Sequence, residues 1–358
     1  MNRAAMERLR GAGKQPLCIL AGFDGFVDTI VCPVKETREE GNSHFSTIQE
    51  FGAYLMGKAG KSCSLLLEIK QKKLGGNAPI FSRTAARLGQ RVTCIGALGD
   101  GGISPVFSGL NGCDRLFSVA EPGESTALEF EDGKILLAMN ADIDLLDYSR
   151  VEERMGESQL ADSLNTADLV ALLNWSELAR GTDLWRGLLQ KSQETVSAAQ
   201  GKKMLVDLCD ISRKSKKQIQ ELLELLRGFA ACYQVLLSLN ENEADRLGVH
   251  FGLQREEPLP FLEQLYDRLG LQNVVVHTIP YACGKGTEGA VLVPNQPVAR
   301  PVLSTGAGDN FNGGLAVAWG HGLGLKDALE VANAVTGCYV STGESPSLAQ
   351  VMAVLENE

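Results

Sequence analysis

The sequence predicts an α/β protein, with one mostly parallel sheet covered by helices on both faces and a small β-sheet standing off it. Three observations predict this. From about residue 160 onward, short apolar runs alternate with segments of helical periodicity, the pattern of repeated strand–helix units around a parallel sheet. Before that point, two half-polar runs flank a hairpin signal. No internal repeat, low-complexity tract or Pro/Gly/Ser linker divides the 358 residues, so 1–358 reads as a single domain.

Taken in order, Leu17 to Phe23 is a short apolar run suited to a buried strand, and Leu65 to Ile69 and Val92 to Leu98 read alike. Asn77 to Leu88 reads as a helix ended by Gly89, with Arg83 and Arg87 toward its C-terminus. Ala127 to Phe130 and Lys134 to Met139 flank Glu131-Asp132-Gly133, whose Asp-Gly favours a hairpin of half-exposed strands. Strands are then expected over Asp168–Leu173, Met204–Leu208, Val235–Leu239, Val274–Val276 and Ala290–Val293. Helices are expected from about Thr182 to Ala199, Ser215 to Phe229 and Glu241 to Leu247, and from about Gly308 and Lys326 onward. Sheets of this kind place ligands at the C-terminal ends of their strands.

Composition narrows the function. The net charge of −10 argues against a general nucleic-acid binder, while a local pocket of backbone amides can still take nucleotide phosphates. The nine cysteines mostly sit in apolar runs and form no Cys-x-x-Cys pair. They read as buried, reduced thiols of a cytoplasmic protein without a zinc site. The N-terminal Arg3, Glu7, Arg8 and Arg10 do not read as a signal peptide, and no apolar run approaches a membrane span.

The most informative stretch is Ser304-Thr305-Gly306-Ala307-Gly308-Asp309-Asn310-Phe311, opening a helix. Its glycines allow a tight turn and close approach to a ligand. The amides that follow have no intrahelical acceptor, and the helix dipole favours negative charge there, which makes a phosphate pocket. A carboxylate at Asp309 would repel that phosphate unless it accepts a proton from the attacking hydroxyl. No Gly-Lys-Ser/Thr follows, so this is not a P-loop, and Phe311 excludes a dinucleotide fingerprint. The bland alternative is a glycine-rich turn capped by Asp309.

These residues, with the element order, resemble the ribokinase-like (PfkB-type) carbohydrate kinases from about Leu17 to Leu348. The resemblance implies an ATP- and Mg²⁺-dependent phosphotransferase acting on a hydroxyl of a sugar or sugar-like small molecule. It makes Asp309 the catalytic base and Gly306, Ala307 and Gly308 the anion hole. Gly75-Gly76-Asn77, leading through Ala85 to Gly89, resembles the family's Gly-Gly signature, which lets the backbone approach the sugar. Of the acidic residues in Gly22-Phe23-Asp24-Gly25-Phe26-Val27-Asp28, Asp28 first and Asp24 second are implied to bind sugar hydroxyls. Gly96-Ala97-Leu98-Gly99-Asp100 resembles another strand-end motif that brings Asp100 near the substrate. Asn240-Glu241-Asn242-Glu243 resembles the Asn-x-x-Glu that organises Mg²⁺ through water, and it also reads as a helix cap. Asn240, Thr305 and Asn333 are implied on the nucleotide side, with Asp207 and Arg213 more weakly so.

The chain departs from the pattern at Ser304, where the family has Asp and which leaves K⁺ use open, and at Ile80, where it has Asn. His277 to Gly286 reads as a turn longer than the family's. The small sheet, about residues 28–45 and 114–141, is implied as a lid over the acceptor and a surface for a homodimer. Two alternatives stand beside the carbohydrate kinase: a nucleoside kinase, for which Ile80 and Phe26 would line an apolar pocket, and a catalytically silent sugar or nucleotide sensor.

Overall fold

Apolar runs bounded by glycine and polar turns form most of the strands of this chain, whose computed structural model describes residues 1, 3–197 and 201–357. In chain order the strands are β1 (Cys18–Gly22), β2 (Phe26–Arg38), β3 (Gly41–His44), β4 (Leu67–Gly75), β5 (Arg91–Gly96), β6 (Arg115–Ser118) and β7 (Gly123–Phe130). They continue as β8 (Gly133–Met139), β9 (Leu169–Leu172), β10 (Lys203–Asp207), β11 (Gln234–Asn240), β12 (Asn273–His277), β13 (Tyr281–Gly286) and β14 (Gly289–Pro294). The helices are α1 (Arg3–Ala12), α2 (Ile48–Met56), α3 (Asn77–Arg87), α4 (Tyr148–Met155), α5 (Glu157–Thr166) and α6 (Gly181–Thr195). After them come α7 (Lys216–Phe229), α8 (Glu241–Phe251), α9 (Pro258–Leu269), α10 (Ala307–Gly320), α11 (Leu325–Thr342) and α12 (Leu348–Glu356).

The large sheet has nine strands in the order β14-β13-β12-β11-β10-β9-β1-β5-β6, parallel except at β13 and β14. Alternation along its strands feeds two cores. Leu169, Ala171, Leu205, Leu236 and Val275 point to the face covered by α1, α3, α10, α11 and α12. Their neighbours Val170, Leu172, Val206, Leu237 and Val276 point to the face packed by α6, α7 and α9. Period-2 alternation of uniformly apolar residues is what a doubly covered strand requires. From β1 the chain adds β5 and β6 on one side and β9 to β12 on the other. The strand order therefore switches direction beside β1, and sheets of this kind carry their ligand cleft there, at the strands' C-terminal ends.

The small sheet runs β3-β2-β7-β8, with β4 also paired to β2. It differs from the expected lid in two ways. Residues 115–118 belong to the large sheet as β6, parallel to β5. The small sheet also recruits β4, which was expected as a buried strand over Leu65–Ile69. In fact it starts at Leu67, and Leu67 and Ile69 are exposed. Its register is set by antiparallel pairing with β2 rather than by its apolar residues. The expected long turn His277–Gly286 contains β13, which pairs antiparallel with both β12 and β14. The helix expected over 182–199 is α6; its last expected residues, 198 and 199, lie outside the described residues. The N-terminal helix α1, not expected from the sequence, buries Met6 and Leu9 against the α12 side of the sheet.

Candidate active site

Four buried or half-buried carboxylates converge on the cleft. Asp24, in the turn after β1, has no exposed surface. Its Oδ2 accepts from the Asn77 amide at 2.8 Å and from Asn174 Nδ2 at 2.7 Å, and its Oδ1 accepts from the Ala78 amide at 2.7 Å. Asp24 thus caps α3, whose own N-cap Gly76 has no side chain to do so. Expected beside the acceptor, it instead has both oxygens engaged in placing the Gly75-Gly76-Asn77 turn. Burial pushes its carboxyl up to about 6 despite those donors.

Asp207 ends β10 and joins three segments. Its Oδ1 accepts from Asn77 Nδ2 at 3.2 Å and the Cys209 amide at 3.0 Å, and its Oδ2 accepts from Asn312 Nδ2 on α10 at 2.7 Å. Asn77 therefore bridges Asp24 and Asp207 through its backbone and side chain. Burial, reinforced by the charge of Asp24, pushes Asp207 up to about 6. With the folded value above the ordinary 3.8, the native state holds this proton longer than the unfolded chain does. The stability it contributes is complete below pH 3.8 and is lost as pH rises through about 6. An Asp207→Asn variant should therefore lose less stability than the wild type as pH rises across this window, as read by chemical denaturation at stepped pH.

Glu243 is buried at the first turn of α8. Its Oε2 accepts from the Asn240 amide at 3.0 Å and its Oε1 from Asn240 Nδ2 at 2.5 Å, while Asn240 Oδ1 accepts from the Glu243 amide at 3.0 Å. This is a complete capping box at the end of β11. Burial first, then the charge of Asp207, holds Glu243 well above the carboxylate range. Among the described residues no cluster of three His, Cys, Asp or Glu is close enough to cage a metal directly. Carboxylates that repel one another at a strand end still suit a hard cation kept at a distance by its own waters, the usual state of Mg²⁺.

Asp309 lies in the first turn of α10, half-buried, and no hydrogen bond to its carboxylate is found among the described residues. Burial and then the charges of Asp207, Asp24 and Asp28 hold it well above 3.8, and Arg83 opposes them. The turn before it needs glycine: Gly306 has φ +88°, and a Cβ there would sit 2.9 Å from Tyr339 Oη. That hydroxyl donates to the Thr305 carbonyl at 2.5 Å. The amides of Gly308 and Asp309 have no acceptor among the described residues. Free amides at a helix N-terminus beside an unpartnered carboxylate are an arrangement that can receive an anion. His277 at the end of β12 stacks on Phe311 at 4.5 Å, and burial pushes it down to about 4, so it stays neutral.

Other expected residues fall variously. Asp28 on β2 faces the same side as its cross-strand neighbours Lys73 and Ser125. Gly75 admits it, since a Cβ at Gly75 would lie 2.5 Å from the carboxyl atoms. Asn333 on α11 has both amide atoms buried with no protein partner. Asp100 is half exposed and pairs with Arg154 at 2.9 Å, not with the carboxylates of the cleft. Arg213 pairs with Glu177 at 2.5 Å on an exposed face. Ile80 and Phe26 are buried, and Ile80 lies against the turn before α10, its Cδ1 3.2 Å from where a Cβ on Gly306 would stand. Sequence reasoning missed Asn174 and Asn312. The sequence signal that could have found Asn174 is its place directly after the apolar run ending at Leu173, where the structure holds it at φ +56°, a conformation asparagine tolerates.

A family model described as prokaryotic ketohexokinase matches residues 4–358. A ketohexokinase of Haloferax volcanii is 29% identical over 339 residues, spanning 94% of this chain and 90% of that protein. A solved ribokinase of Arabidopsis thaliana, complexed with ribose and ATP, superposes with TM-score 0.67 at 18% identity, over 95% of this chain and 99% of its own. The ribokinase of Thermotoga maritima gives 0.66 at 17% identity, over 96% and 100%. Both structures share the fold described above.

Proposed function

The chain belongs to the prokaryotic ketohexokinase family and is a sugar kinase, and from that premise we propose that it phosphorylates a hydroxyl of a ketohexose with ATP, using Asp309 as the base. The observation that carries this reading is the unpartnered Asp309 carboxylate set beside the free amides of Gly308 and Asp309. A carboxylate held above its ordinary range by burial is a stronger base than an exposed one, and accepting the acceptor's proton relieves its repulsion with Asp207. The two amides would receive the negative oxygens of the transferred phosphoryl group, where preorganised donors are worth several kcal/mol. Asp28, held in a glycine-lined recess, would accept hydroxyl hydrogens of the sugar.

Asn333, with its amide unsatisfied, would meet the nucleotide base, and Thr305 would face its phosphates. The Asn240–Glu243 end of β11 would hold waters of a Mg²⁺ whose charge offsets that of the phosphates. The small sheet would close over the acceptor and exclude water.

Mg·ATP consumption should be measured against ketohexoses, aldohexoses, polyols and nucleosides, with products identified by ³¹P NMR. The reading predicts the highest kcat/KM with a ketohexose and a new phosphomonoester. A nucleoside as the best acceptor would overturn the substrate assignment.

A further inference from the structure

Three cations with no ionic partner face the same cleft. Lys73 on β4 lies opposite Asp28, and Asp28 lies opposite Ser125 on β7. Ser125 and Glu129 share a face, and Glu129 lies opposite Lys134 on β8, so the strand period puts Lys134 on the same inner face. Lys134 reaches across to the loop before α10, where its ammonium donates to Thr305 Oγ1 and, at 3.4 Å, to Ser304 Oγ. Arg83 projects from α3 with its Nε buried and unpartnered. It acts electrostatically on Asp309, Tyr339 and Lys73. None of the three makes an ion pair within 4.0 Å among the described residues, although Asp28, Glu129 and Asp309 are all close enough to act on one or more of them.

That arrangement is costly as it stands. Burial lowers Lys73 and Lys134 from their ordinary values, and Lys73 is further opposed by Lys134 and Arg83. Half-buried like charges that repel one another, with an orphaned guanidinium nitrogen beside them, persist in a fold when an anion completes the set. Ser304 fits this account. A second carboxylate at that position would neutralise Lys134, whereas a hydroxyl leaves its charge available.

We infer that Arg83, Lys73 and Lys134 form a phosphoryl-binding wall across the cleft from Asp309, rigid on the α3 side and carried by the small sheet on the other. The inference rests on the kinase reading of this cleft and adds a ligand chemistry to it: a tetrahedral dianion held by a guanidinium and two ammonium groups. Its phosphoryl group comes from one of two sources, the group in transfer or a phosphate already on the acceptor.

Calorimetric titration of the full-length protein with inorganic phosphate tests the wall directly. Saturable binding is expected in the wild type, weakened tenfold or more by Arg83→Gln and by Lys73→Gln. Asp309→Asn should bind phosphate more tightly, since it removes a repelling charge, while losing turnover. Lys73 lies on a strand of the small sheet, so its variant gives the same readout if Arg83→Gln does not fold. Steady-state kinetics then separates the sources. A fall in kcat with a plain ketohexose assigns the wall to the transferred group. A rise in KM confined to a ketohexose monophosphate assigns it to the acceptor. No saturable phosphate binding, or equal affinity in the wild type and both cation variants, overturns the inference, even where Asp309→Asn abolishes turnover and the kinase reading stands. Turnover retained by Asp309→Asn counts against the kinase reading instead.

Discussion

Exchanging Asp309 for asparagine is expected to lower kcat by about 10²–10⁴-fold while leaving the melting temperature unchanged or raised. The two readouts separate because the carboxylate is a poor contributor to stability. It has no hydrogen-bond partner among the described residues, and burial with three acidic neighbours holds it well above the range at which a carboxylate ionises freely. Asparagine keeps the shape and removes the repulsion. What it cannot do is accept the proton of the attacking hydroxyl. The acid limb of the wild-type kcat/KM profile should follow the same group. Activity falls as pH drops through a value above 3.8, because the base must be ionised to act. A matched loss of activity and stability in the variant would indicate a structural role.

Gly76→Ala is the second large effect expected. Gly76 has φ +92° and ψ 145°, a backbone conformation open essentially to glycine alone. An added Cβ would stand 3.0 Å from Asp24 Oδ2, 3.0 Å from Gly25 Cα and 3.2 Å from the Phe26 amide. Two of those neighbours are backbone, and the third is fixed by three hydrogen bonds. Strain of about 1–3 kcal/mol and a packing cost of similar size should add. Displacing this turn also displaces the Asn77 amide and side chain from Asp24 and Asp207, so the variant that still folds should lose kcat/KM as well. Denaturant midpoints and acceptor kinetics on the same preparation check both. A variant as stable and as active as the wild type would show that the turn does not need glycine.

The sequence carried the large sheet because its strands are buried on both faces. Leu169 to Leu172 is apolar throughout, and Val235 to Leu239 at every position but Ser238, because helices cover each side. Strand β13 escaped because Tyr281-Ala-Cys-Gly-Lys-Gly has no apolar run. Its place is fixed by two antiparallel neighbours and by the close approach of Leu325 and Leu329 to Gly284. Strand β4 misled for the opposite reason. Its apolar start is exposed and its Lys-rich body forms the ladder, since pairing with β2 decides its register.

Within the site, the Gly306–Asp309 segment could be read locally because glycine, free amides and carboxylate are contiguous. The Asn77–Asp207–Asn312 junction could not, since its partners lie 130 and 105 residues apart in the chain. Lone polar residues on buried elements carry no sign of which distant group they will meet. Arg83 is hidden in the same way, as one of two basic residues on a helix whose other positions read mostly as core.

The most direct test of Asp309 as the base is a crystal structure with a ketohexose and a non-hydrolysable ATP analogue bound together. The account predicts one sugar hydroxyl within about 2.6–3.2 Å of an Asp309 oxygen, with the terminal phosphate of the analogue at the amides of Gly308 and Asp309. A ternary complex with the sugar hydroxyls held by other residues and Asp309 turned away from both ligands would contradict it.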